Sequence, residues 1–128
     1  MNIKLGKELK GEIILMNNDN VSVLGTVYDI VHHDATDVKL SGCSGYIEPW
    51  SKKIVLSSIS PDNYTVDKYD SFMAKVLRHE IVHAFLIESG MFQASWGGNE
   101  DIVDWIALQI PKMVDAMKSV GCLDAGTF

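Results

Sequence analysis

Arginine is almost missing from this chain: Arg78 is the only one. Nucleic-acid recognition relies on basic patches and arginine forks. With a net charge of −6, the chain has neither, so direct nucleic-acid binding is not expected. Acting on a DNA-binding protein is not excluded. Cysteine is scarce too. Cys43 and Cys122 lie far apart, lack the paired spacing of a thiolate metal site and build no disulfide framework. A reducing cytoplasm is therefore the expected compartment. No apolar run approaches a membrane span, and Ile13-Ile14-Leu15-Met16 is too short for the core of a secretory signal. Repeats and low-complexity tracts are also missing. What is present is an acidic chain of 128 residues with an ordinary 47% apolar content. That length suits a single domain, 1–128, with one core.

The pattern predicts an α+β fold. Residues 1–16 are ambiguous, because Leu5, Leu9 and Ile13 have helical spacing while Gly6 and Gly11 oppose a stable helix. Val21 to Val31 alternates and is rich in β-branched residues, which reads as a strand. Ser41 to Gly45 is a turn or bulge. Tyr46-Ile47-Glu48 and Lys53 to Ser57 read as two short strands, with Pro49-Trp50-Ser51-Lys52 reversing the chain. Lys52 and Lys53 are read as a solvated turn. The expectation is a small antiparallel or mixed sheet over residues 20–58. Ser60-Pro61-Asp62-Asn63 breaks the pattern, and a helix should then run over 67–89 with Gly90 as its stop. A second helix is expected over 99–118 with Asn99 as N-cap, ending or kinking near Pro111. Lys112 to Val120 would form a last helical segment.

The most informative stretch is His79-Glu80-Ile81-Val82-His83, an HExxH motif. On a helix, residues four apart share a face. His79 and His83 can then aim their imidazoles at one point, where Zn²⁺ could sit, with Glu80 beside them to take a proton from water. These titratable residues interrupt a segment otherwise built for burial, including Phe72, Met73, Val76, Leu77, Ile81 and Val82. Burying them is costly unless they are paired or hold a metal. At this chain's own His and Glu frequencies, such a motif arises by chance in fewer than roughly one in a hundred chains. The competing reading makes the histidines satisfied core residues and Glu80 a solvated one.

Two histidines are half of a tetrahedral site, and catalytic zinc usually has three protein ligands. Asn99-Glu100-Asp101-Ile102-Val103-Asp104 offers the third. Glu100 and Asp104 share a helix face four residues apart. Glu100 is the expected ligand. Asp104 is the expected hydrogen-bond acceptor for the free ring N–H of a ligating histidine. The main alternative makes Asp104 the ligand; the bland reading makes these acids a favoured helix N-terminus. Sixteen residues lie between His83 and Glu100, enough to turn and start a second helix packed beside the first. A nitrogen and oxygen ligand set favours zinc over Mn²⁺ or Fe²⁺ without requiring it. His32 and His33 read as an exposed loop after a strand, outside the site.

HExxH followed by Glu-x-x-x-Asp resembles the gluzincin pattern. The longer stretch, residues 21–118, resembles the small ImmA/IrrE-type metallopeptidases common in prophages and mobile elements. The resemblance rests on the strand Lys53-Ile54-Val55-Leu56, the helix Met73 to Gly90 with its HExxH, and Glu100 followed by Trp105-Ile106-Ala107-Leu108-Gln109-Ile110-Pro111. Val103-Asp104 stands where that group often has Ala-Asn. The resemblance implies a zinc peptidase with His79, His83 and Glu100 as ligands and Glu80 as general base. It also implies a protein substrate linked to repressor inactivation. A catalytically weak or inactive zinc-binding module of the same fold is the alternative.

Peptide hydrolysis also needs an oxyanion stabiliser. No histidine follows His83 and no tyrosine follows Tyr69. Tyr46, Tyr64, Tyr69 or a loop N–H would have to serve. Met91, Phe92 and Trp96 of the 90–99 loop are read as capping the core between two helices, with contact to a bound peptide as the alternative. Gly97-Gly98 would allow that loop to move.

Overall fold

A computed structural model of the chain describes residues 19–34, 36–58, 69–94 and 96–123. The ambiguous N-terminal segment and the break at residues 60–63 lie outside them. The described residues form four strands and two long helices: β1 (Asn20–Val23), β2 (Thr26–His33), β3 (Gly45–Glu48), β4 (Lys53–Ser57), α1 (Tyr69–Glu88) and α2 (Glu100–Ser119). The strands make one sheet in the order β1-β2-β4-β3. β1/β2 and β3/β4 are antiparallel, while β2/β4 is parallel. The sheet is therefore mixed, and the fold is α+β.

The alternating stretch from Val21 to Val31 is two strands rather than one. Val23 pairs with Thr26 across a two-residue turn. Leu24 and Gly25 both have positive φ, 50° and 87°, as a type I′ hairpin turn requires. Gly25 was the only local mark of this reversal, because Leu24 is a poor residue for that conformation. His32 and His33 end β2 instead of lying in a loop.

Alternation along the strands decides what faces α1. Val23, Tyr28, Ile30, Ile54 and Leu56 pack against Met73, Val76 and Ala84 of that helix. A second apolar cluster joins Val82 and Leu86 of α1 to Val103 and Ala107 of α2. α1 is thus covered by the sheet on one side and by α2 on another, which explains why it is apolar on most of its surface. α2 does not end at Pro111; the helix continues through it to Ser119, so Lys112 onward is not a separate segment. No helix among the described residues is long and apolar enough to cross a membrane.

Glu88, in the last turn of α1, ties that helix end to the sheet. Its carboxylate accepts from Tyr28 Oη at 2.6 Å, Thr26 Oγ1 at 3.1 Å and Lys52 Nζ at 2.9 Å. Lys52 is therefore part of this clamp rather than a purely solvated turn residue. The Tyr28 hydroxyl above all, then Lys52, hold the Glu88 carboxyl down at about 2, against an ordinary 4.5. A carboxyl depressed in the folded state stabilises fully above its unfolded value and loses that contribution as pH falls toward the folded one. Glu88→Gln should therefore lower Tm at neutral pH and flatten the fall of Tm between pH 4.5 and 2. Thermal melts followed by circular dichroism across that window check this. An unchanged slope would mean that Glu88 is not an acid-sensitive tie.

Candidate metal centre

α1 carries His79, Glu80 and His83 within its last three turns. The i,i+4 spacing brings the two imidazoles edge to face, with ring centroids 4.9 Å apart and planes 67° from parallel. His83 is 7% exposed and Glu80 6%. α2 supplies the facing acids because its start is fixed by Asn99, whose side chain accepts from Ile102 N–H at 3.0 Å. That cap, expected from the sequence, makes Glu100 the first helical residue and sets Asp104 one turn further on.

The two histidines converge on a single oxygen. Glu100 Oε1 lies 2.9 Å from His79 Nε2 and 3.1 Å from His83 Nε2. The three ligand atoms lie within 4.8 Å of one another. Ligands at about 2.05 Å from a tetrahedral zinc would be separated by roughly 3.3 Å. The two nitrogen–oxygen separations are a few tenths of an ångström short of that and the widest pair, within 4.8 Å, is longer, so the donor set fits such an ion in chemistry and would reach its spacing by side-chain rotation.

Asp104 meets the opposite nitrogen of His79. His79 Nδ1–H donates to Asp104 Oδ1 at 3.3 Å, and Lys75 Nζ donates to the same oxygen at 3.2 Å. A ring that donates through Nδ1 keeps its Nε2 lone pair for a metal ion; without an ion, Nε2 must carry a proton to bond the Glu100 carboxylate at 2.9 Å. The Lys75 ammonium, followed by His79, holds the Asp104 carboxyl below its ordinary value. Partial burial pushes the Glu100 carboxyl up, but His83 and His79 outweigh it and keep it below the ordinary value. Glu80 behaves oppositely. Burial pushes its carboxyl up to about 7, with His79 opposing the rise and Glu100 adding to it. The site therefore holds three carboxyl groups of divergent proton affinity: Glu100 and Asp104 are held toward the ionised form by their neighbours, and Glu80 is pushed toward the protonated form by burial.

These residues line a cavity of about 630 Å³. One wall is β3, through Gly45, Tyr46 and Ile47. Phe92 lines it too and is 46% exposed. Met91 and Trp96 are likewise exposed, so the 90–99 loop does not cap the core as expected. A Cβ on Gly97 would sit 1.9 Å from the Met91 carbonyl oxygen, so glycine permits the loop to close on itself.

Tyr46 borders the cavity, but its hydroxyl donates to Asp37 Oδ2 at 2.6 Å, which pushes its pKa up to about 12. Tyr64 and the Tyr69 side chain lie outside the described residues. His33 and His32 do not join the centre. His33 Nδ1 bonds Asp37 at 2.7 Å in a separate cleft that His32 also lines. Cys43 and Cys122 are free and exposed. Lys75 and Glu88 were not found by sequence reasoning, since a lysine or glutamate on a helix carries no local sign of its partner.

No family model, curated protein or solved structure matches this chain. Function must be read from the site. The geometry predicts unequal effects of the two α2 acids. Glu100→Ala should reduce zinc affinity most, because it removes an oxygen facing both histidines. Asp104→Ala should cost about 10–100-fold, the usual price of losing an outer hydrogen bond to a ligating histidine. Zinc dissociation constants measured against a competing chelator at one pH rank them; the reverse ranking would make Asp104 the ligand.

Proposed function

We propose that this protein is a zinc-dependent metallopeptidase that hydrolyses a peptide bond in a specific protein. The observation that carries the reading is the convergence of His79 Nε2 and His83 Nε2 on Glu100 Oε1 beside the buried Glu80. A structural site has no need of a buried carboxyl next to its ligands. A hydrolytic one does, since water must give up a proton.

His79, His83 and Glu100 would hold the ion, and Asp104 would keep His79 in the ligating tautomer. Bound zinc would supply a Lewis acid that activates water and polarises a carbonyl. Glu80 accepts the proton from the attacking water and returns it to the leaving amine. Its raised proton affinity suits both halves of that transfer. An extended chain as substrate is supported by β3, which is a sheet edge paired on one side, to β4, among the described residues. Gly45, Tyr46 and Ile47 of this edge line the cavity, where its outward backbone groups would pair with a peptide. The resemblance to ImmA/IrrE-type peptidases supports a phage or mobile-element repressor as the substrate, and a cytoplasmic setting.

One observation favours the alternative of a weak or inactive zinc-binding regulatory module. The Tyr46 hydroxyl, on the one tyrosine among the described residues that lines the cavity, is held by Asp37.

Protein purified without chelator should contain one zinc per chain by elemental analysis, and a His79→Ala/His83→Ala variant should contain none. Metal-free wild type, or undiminished binding in the double variant, would sink the proposal. Glu80→Gln should retain the zinc and lower cleavage of a helix-turn-helix repressor substrate by about 10²-fold or more. Cleavage at the wild-type rate would remove Glu80 from the mechanism. Zinc binding with no cleavage by the wild type would favour the regulatory module.

A further inference from the structure

Arg78, the only arginine of the chain, is buried along part of its length between α1 and α2, immediately before His79. Its Nε donates to the main-chain carbonyl of Ala107 at 2.8 Å. That carbonyl is unusual. In an α-helix its donor would be the N–H of residue 111, and residue 111 is Pro111. Proline has no N–H, and its ring also crowds the carbonyl four residues back. Ala107 is fully buried, so water is not at hand to satisfy its oxygen, and a buried orphan carbonyl is costly. Pro111 therefore vacates an acceptor inside the helix pair, and Arg78 fills it from the neighbouring helix.

The consequence reaches the metal centre. The bonds at Glu100 and Asp104 join side chain to side chain, and each can be lost by a change of rotamer. Arg78 instead grips a backbone atom, whose place along α2 is fixed by the helix itself. Sliding α2 by one residue would shift it about 1.5 Å and turn it about 100°, carrying Glu100 off the two imidazoles. Ala107 lies two turns beyond Glu100, about 10 Å along the helix. A tie there limits both the slide and the rotation of the segment bearing Glu100 and Asp104. The arginine stem lies in an apolar groove with Ile81, Phe85, Ile106 and Ile110, which restricts its own rotamers.

We infer that Arg78, through the Ala107 carbonyl freed by Pro111, is a positioning residue that sets the register of α2 against α1 and so brings Glu100 onto His79 and His83. This rests on the reading of those three residues as a metal site. It goes beyond that reading by assigning a function to the Arg78–Pro111 pair outside the ligand set.

The test uses the full chain with Arg78→Met, which keeps the apolar stem, Arg78→Lys, which keeps the charge, Pro111→Ala, and the double variant Arg78→Met/Pro111→Ala. Three quantities are read in each: zinc affinity by chelator competition, Tm, and the imidazole ¹H–¹⁵N signals of His79 and His83 in zinc-free protein at one pH. Arg78→Met and Arg78→Lys should each weaken zinc about 10–100-fold, as loss of outer support for a ligand does, and should shift both imidazole signals. Pro111→Ala gives the Ala107 carbonyl an N–H again. The double variant should therefore recover Tm while its zinc affinity and imidazole signals stay displaced. If the double variant regains all three, Arg78 only satisfies a stranded carbonyl, and the inference is overturned. It is equally overturned if the Arg78 variants bind zinc within about threefold of wild type with unmoved imidazole signals. Should Arg78→Met not fold, Arg78→Lys and the double variant carry the same comparison. Should the wild type bind no zinc, the metal reading fails, while the imidazole signals still decide whether Arg78 sets the helix register.

Discussion

The contact between α1 and α2 is the constraint on which the site depends. Each helix alone presents titratable side chains with no reason to be where they are. Brought together over the small buried residues Val103 and Ala107, they place three polar connections across one seam: Glu100 to both imidazoles, Asp104 to His79 and Lys75, and Arg78 to a backbone carbonyl. An unpaired buried polar group costs several kcal/mol, so the bonds to the buried His83 and to the Ala107 carbonyl offset burial, whereas Glu100 and Asp104 themselves stay largely exposed. The apolar contacts bring the helices together, and the polar ones restrict how they can be aligned.

The same seam divides the carboxylates by environment. Glu80 lies beneath the surface on α1, while Glu100 opens α2 at the solvent edge beside two histidines. The first is pushed toward the protonated form by burial, and the second is held ionised by its neighbours. Such a separation of proton affinities between nearby acids is a recurrent basis for distinct acid–base and ligand roles. Here it follows from which helix each acid stands on.

Local chemistry made the helices and the main members of the site legible. Histidines four apart in an apolar segment, Asn99 before Glu100-Asp101, and Gly90 after the first helix are signals whose physical causes act within a few residues. Other features were hidden because their causes are distant. Leu24-Gly25 reverses the chain in the middle of an apparently continuous strand, since the gain comes from pairing β1 on β2. The helix passes through Pro111 although proline opposes it locally; packing on α1 and an arginine from that helix compensate. Phe92 reads as core by composition, yet it lines an open cavity because the loop closes at Gly97.

The sequence by itself determined which residues are chemically able to hold and serve a metal, because helical periodicity alone puts His79 and His83 on one face and Glu100 and Asp104 on another. It also determined the α+β class, through the change from period-two to helical patterning. Only the tertiary structure decided that those two faces look at each other. It assigned Oε1 of Glu100 to both Nε2 atoms and Asp104 to the far side of His79, it drew Glu80 into the interior, and it set the edge of β3 beside them. The physical reason is range. Periodicity and capping act over a few residues along the chain, whereas the meeting of residues 79, 83 and 100 depends on the packing of α1 between a four-stranded sheet and α2, to which side chains far apart in the sequence all contribute.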